Sequence, residues 1–229
     1  AYRNVPIDLN HGHQQTLVGM TTFEVIHEDI IDELTQMDPL IKPLVKDDQA
    51  VIEAGFKKWA ENIIANGVPH NNWDLFQADF IVKIALVLQD DQAYADGKGK
   101  QYYLDYVVNQ NSIRQWSVNK LIDFGFDARS KTWYESPGYS TTVLGLLGEF
   151  SNMLDEKAGI DLFQKCPILV DAVKNSAEYL FPNRMIAGFG DTHPGYLNTG
   201  GIDQVLKYAT RHKNKNLISE MNPVSYTHL

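Results

Sequence analysis

Apolar residues recur at helical spacing along most of the chain. Within each of eight segments they return every three or four positions and so would share one face of a helix. Five of these segments are residues 51–63, 75–88, 113–122, 143–154 and 168–180. Since no segment shows the alternating pattern of a half-buried strand, the sequence predicts an all-α fold.

Prolines divide this pattern. They lie between the apolar segments or at their starts, where a missing N–H is least costly. They are Pro39, Pro43, Pro69, Pro137, Pro167, Pro182 and Pro194. Helices of this length joined by loops of moderate size pack as antiparallel pairs. We therefore expect an array of antiparallel helical hairpins, and a toroid, an open solenoid and a bundle all fit this pattern.

Composition excludes several classes of function. The chain has 29 acidic and 20 basic residues and a formal charge of −9, which argues against nucleic-acid binding because phosphate contacts need clustered Lys and Arg. No apolar stretch approaches the roughly 20 residues that span a bilayer, so no membrane partner is expected. Cys166 is the only cysteine, and His11 and His13 have no evident third ligand. We expect no metal site.

Both ends of the chain suggest a fragment of a longer protein. The sequence starts at Ala1 without the pattern of a signal peptide. Residues 224–229, VSYTHL, resemble a translated adapter sequence and are expected to be a non-native tail. We therefore treat residues 1–223 as the natural domain.

Unusual polar residues gather in the connections between the predicted helices. These connections are residues 8–16, 68–77, 132–142 and 188–196. They combine aromatic rings, which stack on the apolar faces of sugars, with amides and carboxylates, which bind sugar hydroxyls. If the hairpins alternate in direction, the loops before the third, sixth and eighth helices share one face, where a sugar-binding groove would lie.

Several of these residues also have purely structural interpretations. Asn71 or Asn72 would serve well as the N-cap of the helix that begins near Trp73. Tyr139 fits the edge of a core, and Glu135 fits a solvated loop.

Two longer motifs resemble the heparinase II/III-like polysaccharide lyases. They are NNWDLFQADFIVKIALVLQDD, which starts at Asn71, and WYESPGYSTTVLGLL, which starts at Trp133; a Phe-Gly-Asp segment at residues 189–191 follows. The resemblance implies that residues 1–223 form part of a catalytic (α/α) toroid. It also implies a β-sandwich domain after this segment in the same chain, and a periplasmic or secreted location.

The resemblance further implies cleavage of a uronic-acid polysaccharide by β-elimination. In this reaction the proton on C5 of the uronate is removed and the oxygen on C4 leaves. Asn72 would neutralise the uronate carboxylate with uncharged N–H donors. Tyr139 would donate a proton to the leaving oxygen, or act as the base if nearby cations lowered its pKa. His70 would assist at the carboxylate or as the base.

The remaining predicted site residues would bind an acidic polysaccharide or oligosaccharide. They are Asn71, Trp73, Gln77, Trp133, Glu135 and His193. The reaction requires no cofactor. The small number of Lys and Arg residues in these loops disfavours a heavily sulfated substrate, but the polysaccharide itself is left open.

Two other functions fit the same sequence. A glycoside hydrolase on a toroid would use two carboxylates that flank the scissile bond, drawn from Asp74, Glu135 and Asp191. A non-catalytic, carbohydrate-binding helical domain would use the same loops for binding alone. Only a lyase leaves a conjugated, ultraviolet-absorbing double bond in its product.

Overall fold

The computed structural model describes residues 14–15, 20–21, 29–192 and 195–227. The all-α prediction is confirmed, since in this part of the chain β-structure is limited to a two-residue antiparallel pair and isolated bridges. The strands of the pair are β1 (Gln14–Gln15) and β2 (Met20–Thr21). None of the described helices is long and apolar enough to cross a membrane.

Ten α-helices lie within the described residues. They are α1 (Asp29–Ile41), α2 (Gln49–Asn66), α3 (Asn72–Val87), α4 (Lys100–Asn109), α5 (Val118–Gly125), α6 (Pro137–Ala158), α7 (Leu162–Lys165), α8 (Ile168–Asn175), α9 (Gly200–Arg211) and α10 (Lys215–Thr227). Short 3-10 helices cover Lys42–Leu44, Lys46–Asp48, Asp91–Ala93 and Ser176–Tyr179. Helix α10 includes residues 224–227 of the expected tail, whose non-native origin stays a prediction.

The chain divides into two compact units, Ala1–Leu121 and Ile122–Leu229. In the first unit, α2 and α3 run antiparallel. Gln89, just after α3, donates hydrogen bonds to Glu53 near the start of α2. At the other end, the Val68 N–H that follows α2 donates to Gln77 in the first half of α3. Phe56, Trp59, Ile63, Leu75, Ile81, Ile84, Tyr103 and Val107 form much of the core of this unit.

In the second unit, α6 and α9 run parallel. Gly201 packs against Leu144 near the start of both helices, and Arg211 binds Asp155 near the end of both. A parallel pair follows from the connectivity, because α8 lies between these helices in the chain and contacts both.

Two local predictions are corrected. Pro39 lies inside the last turns of α1 and not between apolar segments. Ile113 is 87% exposed and, with Trp116, belongs to the loop between α4 and α5. In this loop the Ser112 hydroxyl accepts hydrogen bonds from the N–H groups of Arg114 and Gln115. A turn fixed by side-chain hydrogen bonds thus replaces the expected first turn of a helix.

Candidate functional site

Asn71 and Asn72 begin α3 and have different environments. Asn71 is the N-cap, and its Oδ1 accepts a hydrogen bond from Trp73 N at 2.9 Å. The capping interpretation is therefore correct for Asn71. Asn72 is the first residue of the helix and is half-buried. Its side chain makes no hydrogen bond within the described part of the chain, so its amide can serve a ligand. Trp73, which follows, is also half-buried.

His70 is held in a left-handed backbone conformation just before this cap, with φ at 61°. Its backbone N–H donates to Asp74 Oδ2 at 3.0 Å, and its ring lies 4.5 Å from that of Trp116. The ammonium of Lys120 lies 3.8 Å from the Trp116 ring centroid. Burial first, and then the charge of Lys120, lower the pKa of His70. The imidazole is therefore neutral at neutral pH.

Asp74 is the buried carboxylate that fixes this arrangement. It accepts hydrogen bonds from the backbone N–H groups of His70 and Trp116 and from the side chain of Gln115. Burial raises the pKa of Asp74 to about 7, against the opposing effect of its hydrogen bonds. Because Asp74 is fully buried, a glycosidic bond cannot reach it, and it is removed from the hydrolase alternative.

Gln77 has a structural role in place of the predicted sugar contact. It is fully buried. Its Oε1 accepts from Val68 N at 2.6 Å, and its Nε2 donates to Gln115 Oε1 at 2.8 Å. Both polar atoms are thus used to hold the loop before α3 and the loop after α4.

The predicted sugar contact of Trp133, in the second unit, is also wrong because this residue is buried. It is 2% exposed and packs edge-on against Phe126, with ring centroids 5.2 Å apart. Its Nε1 donates to Glu135 Oε2 at 2.6 Å. The ring is therefore unavailable for sugar stacking, whereas Glu135 stays half-buried at the start of α6.

Tyr139 lies in the first turn of α6 and is 39% exposed. The negative charge of Asp191 is the main cause that raises the pKa of Tyr139, followed by burial, the polar interaction with the Asp191 side chain and the charge of Glu135. A tyrosine base would need nearby cations, whereas the charged groups that act on Tyr139 are anions. Tyr139 is therefore a protonated phenol, suited to donate its proton.

Sequence reasoning did not pair Asp191 with Tyr139. Asp191 was expected as the last residue of the Phe-Gly-Asp motif, as a loop-stabilising partner of His193 and as a hydrolase candidate. The two residues are 52 positions apart, and the motif was the one local signal available. Trp116 and Lys120 were missed as neighbours of His70 for the same reason.

Some predictions fall outside what the structure describes. His193, proposed to bind substrate, lies outside the described residues, as do His11 and His13. Asn72 and His70 belong to the first unit and Tyr139 to the second. Their convergence on one sugar residue stays a prediction.

A cluster of metal-ligand types occurs elsewhere in the second unit. One potential ligand atom from each of Asp155, Asp161 and His212 lies within 4.8 Å of the others. Each acid already has a protein donor, since Arg211 binds Asp155 and the Tyr208 hydroxyl donates to Asp161 at 2.9 Å. This cluster is accounted for by protein partners.

The first unit has a surface groove of about 570 Å³ beside the start of α2. Its lining residues include Lys46, Gln49, Glu53, Lys57, Gln89 and Tyr94. The buried Glu53 carboxylate accepts hydrogen bonds from Gln49, Gln89 and Tyr94. None of the predicted site residues lines this groove.

The comparisons with known proteins bear on the second unit. Residues 129–226 match the family model of the endo-acting ulvan lyase 2nd domain. The domain that this family model describes belongs to a polysaccharide lyase. No curated protein and no solved structure matches the chain significantly. The matched segment contains Glu135, Tyr139 and Asp191, whereas His70 and Asn72 precede it.

Proposed function

We propose that the chain is part of the catalytic region of a polysaccharide lyase that cleaves a uronic-acid polysaccharide by β-elimination. The observation that carries this proposal is the match of residues 129–226 to an ulvan lyase domain. The matched segment includes a half-exposed tyrosine whose environment favours its proton-donating form. The earlier resemblance to heparinase II/III-like lyases supports the same class of reaction.

The first requirement of the reaction is neutralisation of the uronate carboxylate. The C5 proton becomes acidic only when the charge that develops on this carboxylate is stabilised. The Asn72 amide provides two uncharged N–H donors for this purpose. Its neighbour Asn71 already caps α3, so the Asn72 side chain can bind substrate without uncapping the helix.

The second requirement is the transfer of two protons. A base takes the C5 proton, and the electron pair of the C5–H bond forms the C4–C5 double bond. The bond between C4 and its oxygen breaks, and that oxygen takes the Tyr139 hydroxyl proton. Tyr139 then recovers a proton from water, and the protonated base returns the C5 proton to the resulting hydroxide. We propose His70 as the base, because its lowered pKa keeps the imidazole neutral.

The substrate class and location follow from this reaction. An acidic polysaccharide is too large and too charged to cross a membrane unaided. We therefore propose that the enzyme acts in the periplasm or outside the cell, with the β-sandwich domain of the same chain as a further part of the site.

The experiment follows ultraviolet absorbance and reducing ends when the full-length protein, including the proposed β-sandwich domain, is incubated with ulvan, alginate or heparan sulfate. We expect both signals to rise with at least one polysaccharide. Tyr139→Phe keeps the ring and removes the proton, and should lower turnover by roughly 10²–10⁴-fold with little change in KM. Tyr196→Phe, at a tyrosine of the same unit that is 85% exposed, is the matched control.

Each alternative has its own result. Reducing ends without ultraviolet absorbance would indicate the glycoside hydrolase. Polysaccharide that is bound but not cleaved would indicate the carbohydrate-binding domain. Wild-type turnover by Tyr139→Phe would show that another residue donates the proton.

A further inference from the structure

The segment that carries Asp191 is fixed to the first turn of α6. The Ser136 hydroxyl donates to the backbone carbonyl of Asp191 at 3.2 Å. The Gly138 N–H donates to the Thr192 hydroxyl at 2.9 Å. These contacts flank the Asp191 side chain on the same helical turn that presents Tyr139.

Gly190 makes this close approach possible. Its φ of 64° lies in the left-handed region, which favours glycine. A Cβ atom at this position would lie 3.2 Å from the Cβ of Ser136. The glycine of the Phe-Gly-Asp motif is therefore favoured by its backbone conformation, and the aspartate that follows it lies beside α6.

The outcome is a carboxylate against the Tyr139 hydroxyl. Asp191 acts on that hydroxyl most strongly, through its negative charge, and Glu135 contributes a second, weaker negative influence from the segment before α6. Among the described residues, these two acids are the charged groups that act on Tyr139. Of the two, Asp191 lies on the segment that Ser136 and Gly138 hold beside the first turn of α6.

We propose that Asp191 is a positioning residue for Tyr139: its carboxylate accepts the phenol hydrogen bond, orients the hydroxyl and keeps it protonated until the leaving oxygen takes the proton. This inference rests on the proposed lyase function and adds a residue to it. When the C4 oxygen leaves with its electron pair, the hydroxyl proton moves from the hydrogen bond with Asp191 to that oxygen. Asp191 itself exchanges no proton.

The role of Asp191 sets the alkaline limit of the reaction. The active form of Tyr139 is the phenol, which is lost when pH rises through its pKa. A neighbouring anion raises that pKa, so removing the anion must move the loss of activity to lower pH. A merely structural aspartate would change stability without moving this limit.

The test compares Asp191→Asn, which removes the charge and keeps an acceptor oxygen, with Asp191→Ala, which removes both. The near-ultraviolet absorbance of phenolate is titrated in each variant, with and without Tyr139→Phe, so that the difference isolates Tyr139 among the 11 tyrosines. We expect Tyr139 to ionise at lower pH in both variants. Asp203→Asn, which removes an exposed charge on α9, should leave the titration unchanged.

The second readout is the pH profile of kcat. Both Asp191 variants should move its alkaline limb to lower pH, and Asp191→Ala should lower kcat at neutral pH by roughly 10-fold, the value of one hydrogen bond to a charged group. KM should change little. Circular dichroism checks folding, which the contacts of the Asp191 carbonyl and the Thr192 hydroxyl should preserve.

The possible failures are distinguishable. An unchanged Tyr139 titration and alkaline limb in Asp191→Asn, in an active enzyme, would overturn this inference and leave the lyase function standing. The absence of ultraviolet-absorbing products from the full-length wild-type protein would overturn the proposed function, and the inference with it.

Discussion

Asn71 and Asn72 are identical neighbours with different surroundings. The backbone of Asn71 is extended, with φ at −133°, so its side chain turns back to accept from the N–H of Trp73. Asn72 is already helical and has no such partner among the described residues. The helix start therefore requires one amide and leaves the other available for substrate.

This difference leads to a prediction for stability and activity. Asn71→Ala should lower the free energy of unfolding by about 1 kcal/mol, the usual cost of losing an N-cap. Asn72→Ala should leave stability nearly unchanged and lower turnover. Asn72→Asp should be at least as stable, because a negative charge favours a helix N-terminus, and inactive, because it repels the substrate carboxylate.

Urea unfolding and the ultraviolet assay on the same preparations measure both effects. Equal loss of stability in Asn71→Ala and Asn72→Ala would contradict the assignment of the cap. An active Asn72→Asp would contradict the role of Asn72 at the carboxylate.

At the residue scale, the sequence predicted the helix cap better than it predicted burial. An N-cap at Asn71 or Asn72 was foreseen because capping depends on neighbouring residues. Gln77 and Trp133 were expected at a sugar-binding surface but are buried, because their partners and packing come from the folded chain. The partner of Gln77 is Gln115, 38 residues further along, a pairing that no local pattern indicates.

Among the elements, α6 illustrates how glycines set the distance between helices. A Cβ on Gly148 would lie 2.6 Å from the Cβ of Gln204 on α9, well inside van der Waals contact. A Cβ on Gly145, one turn earlier, would meet its nearest neighbour, the Cα of Gly200, at 3.6 Å. The two positions lie on one helix and differ in the space available to a side chain.

This pair provides the second prediction. Gly148→Ala should force α6 and α9 apart and lower the free energy of unfolding by about 1–3 kcal/mol, as overpacked cores do. Gly145→Ala should be neutral or stabilising by about 0.5–1 kcal/mol, since alanine favours a helix over glycine. Urea unfolding of both variants measures the difference. Two variants of equal stability would contradict the close approach of these helices.

Most helices were predictable from the sequence, because helical periodicity and breakers act over a few residues. The loop between α4 and α5 was not. Its apolar residues Ile113 and Trp116 continue the periodic pattern of α5, but backbone N–H groups of this segment donate hydrogen bonds to Ser112 and Asp74, which hold it outside the helix. Side-chain hydrogen bonds outweighed the hydrophobic pattern there.

The stability of the whole molecule depends on pH through carboxylates whose pKa values are shifted in opposite directions. A carboxylate whose pKa is lowered in the folded state adds stability above its unfolded pKa, and this stability is lost as pH falls. This group comprises Glu53, Asp96, Asp105, Asp127 and Asp155. Asp74 behaves in the opposite way, because its pKa is raised from 3.8 to about 7.

The raised pKa of Asp74 leads to the third prediction, which concerns how stability depends on pH. Between its unfolded and folded pKa values the native state binds more protons, so the free energy of unfolding falls as pH rises from about 4 to about 7. The carboxylates with lowered pKa values contribute fully above about pH 5, so we expect stability to be highest at about pH 4–5 and to decline from there to about pH 7. Asp74→Asn should remove the decline above that range, which amounts to at most about 1.4 kcal/mol per pH unit.

Urea unfolding of the wild type and Asp74→Asn from about pH 4 to about pH 8 measures this effect. Asp105→Asn, which removes an exposed carboxylate of the opposite class, is the control and should keep the decline. A constant difference between wild type and Asp74→Asn across the range would contradict the raised pKa.

The attachment of residues 188–192 to α6 has a consequence for enzyme design. The contacts that hold this loop go to the carbonyl of residue 191 and the hydroxyl of residue 192, so the side chain at position 191 is not what keeps the loop in place. That position can be varied while its scaffold stays intact. A small library of acidic, neutral and basic residues at position 191 would shift the pH range in which the Tyr139 phenol can donate its proton.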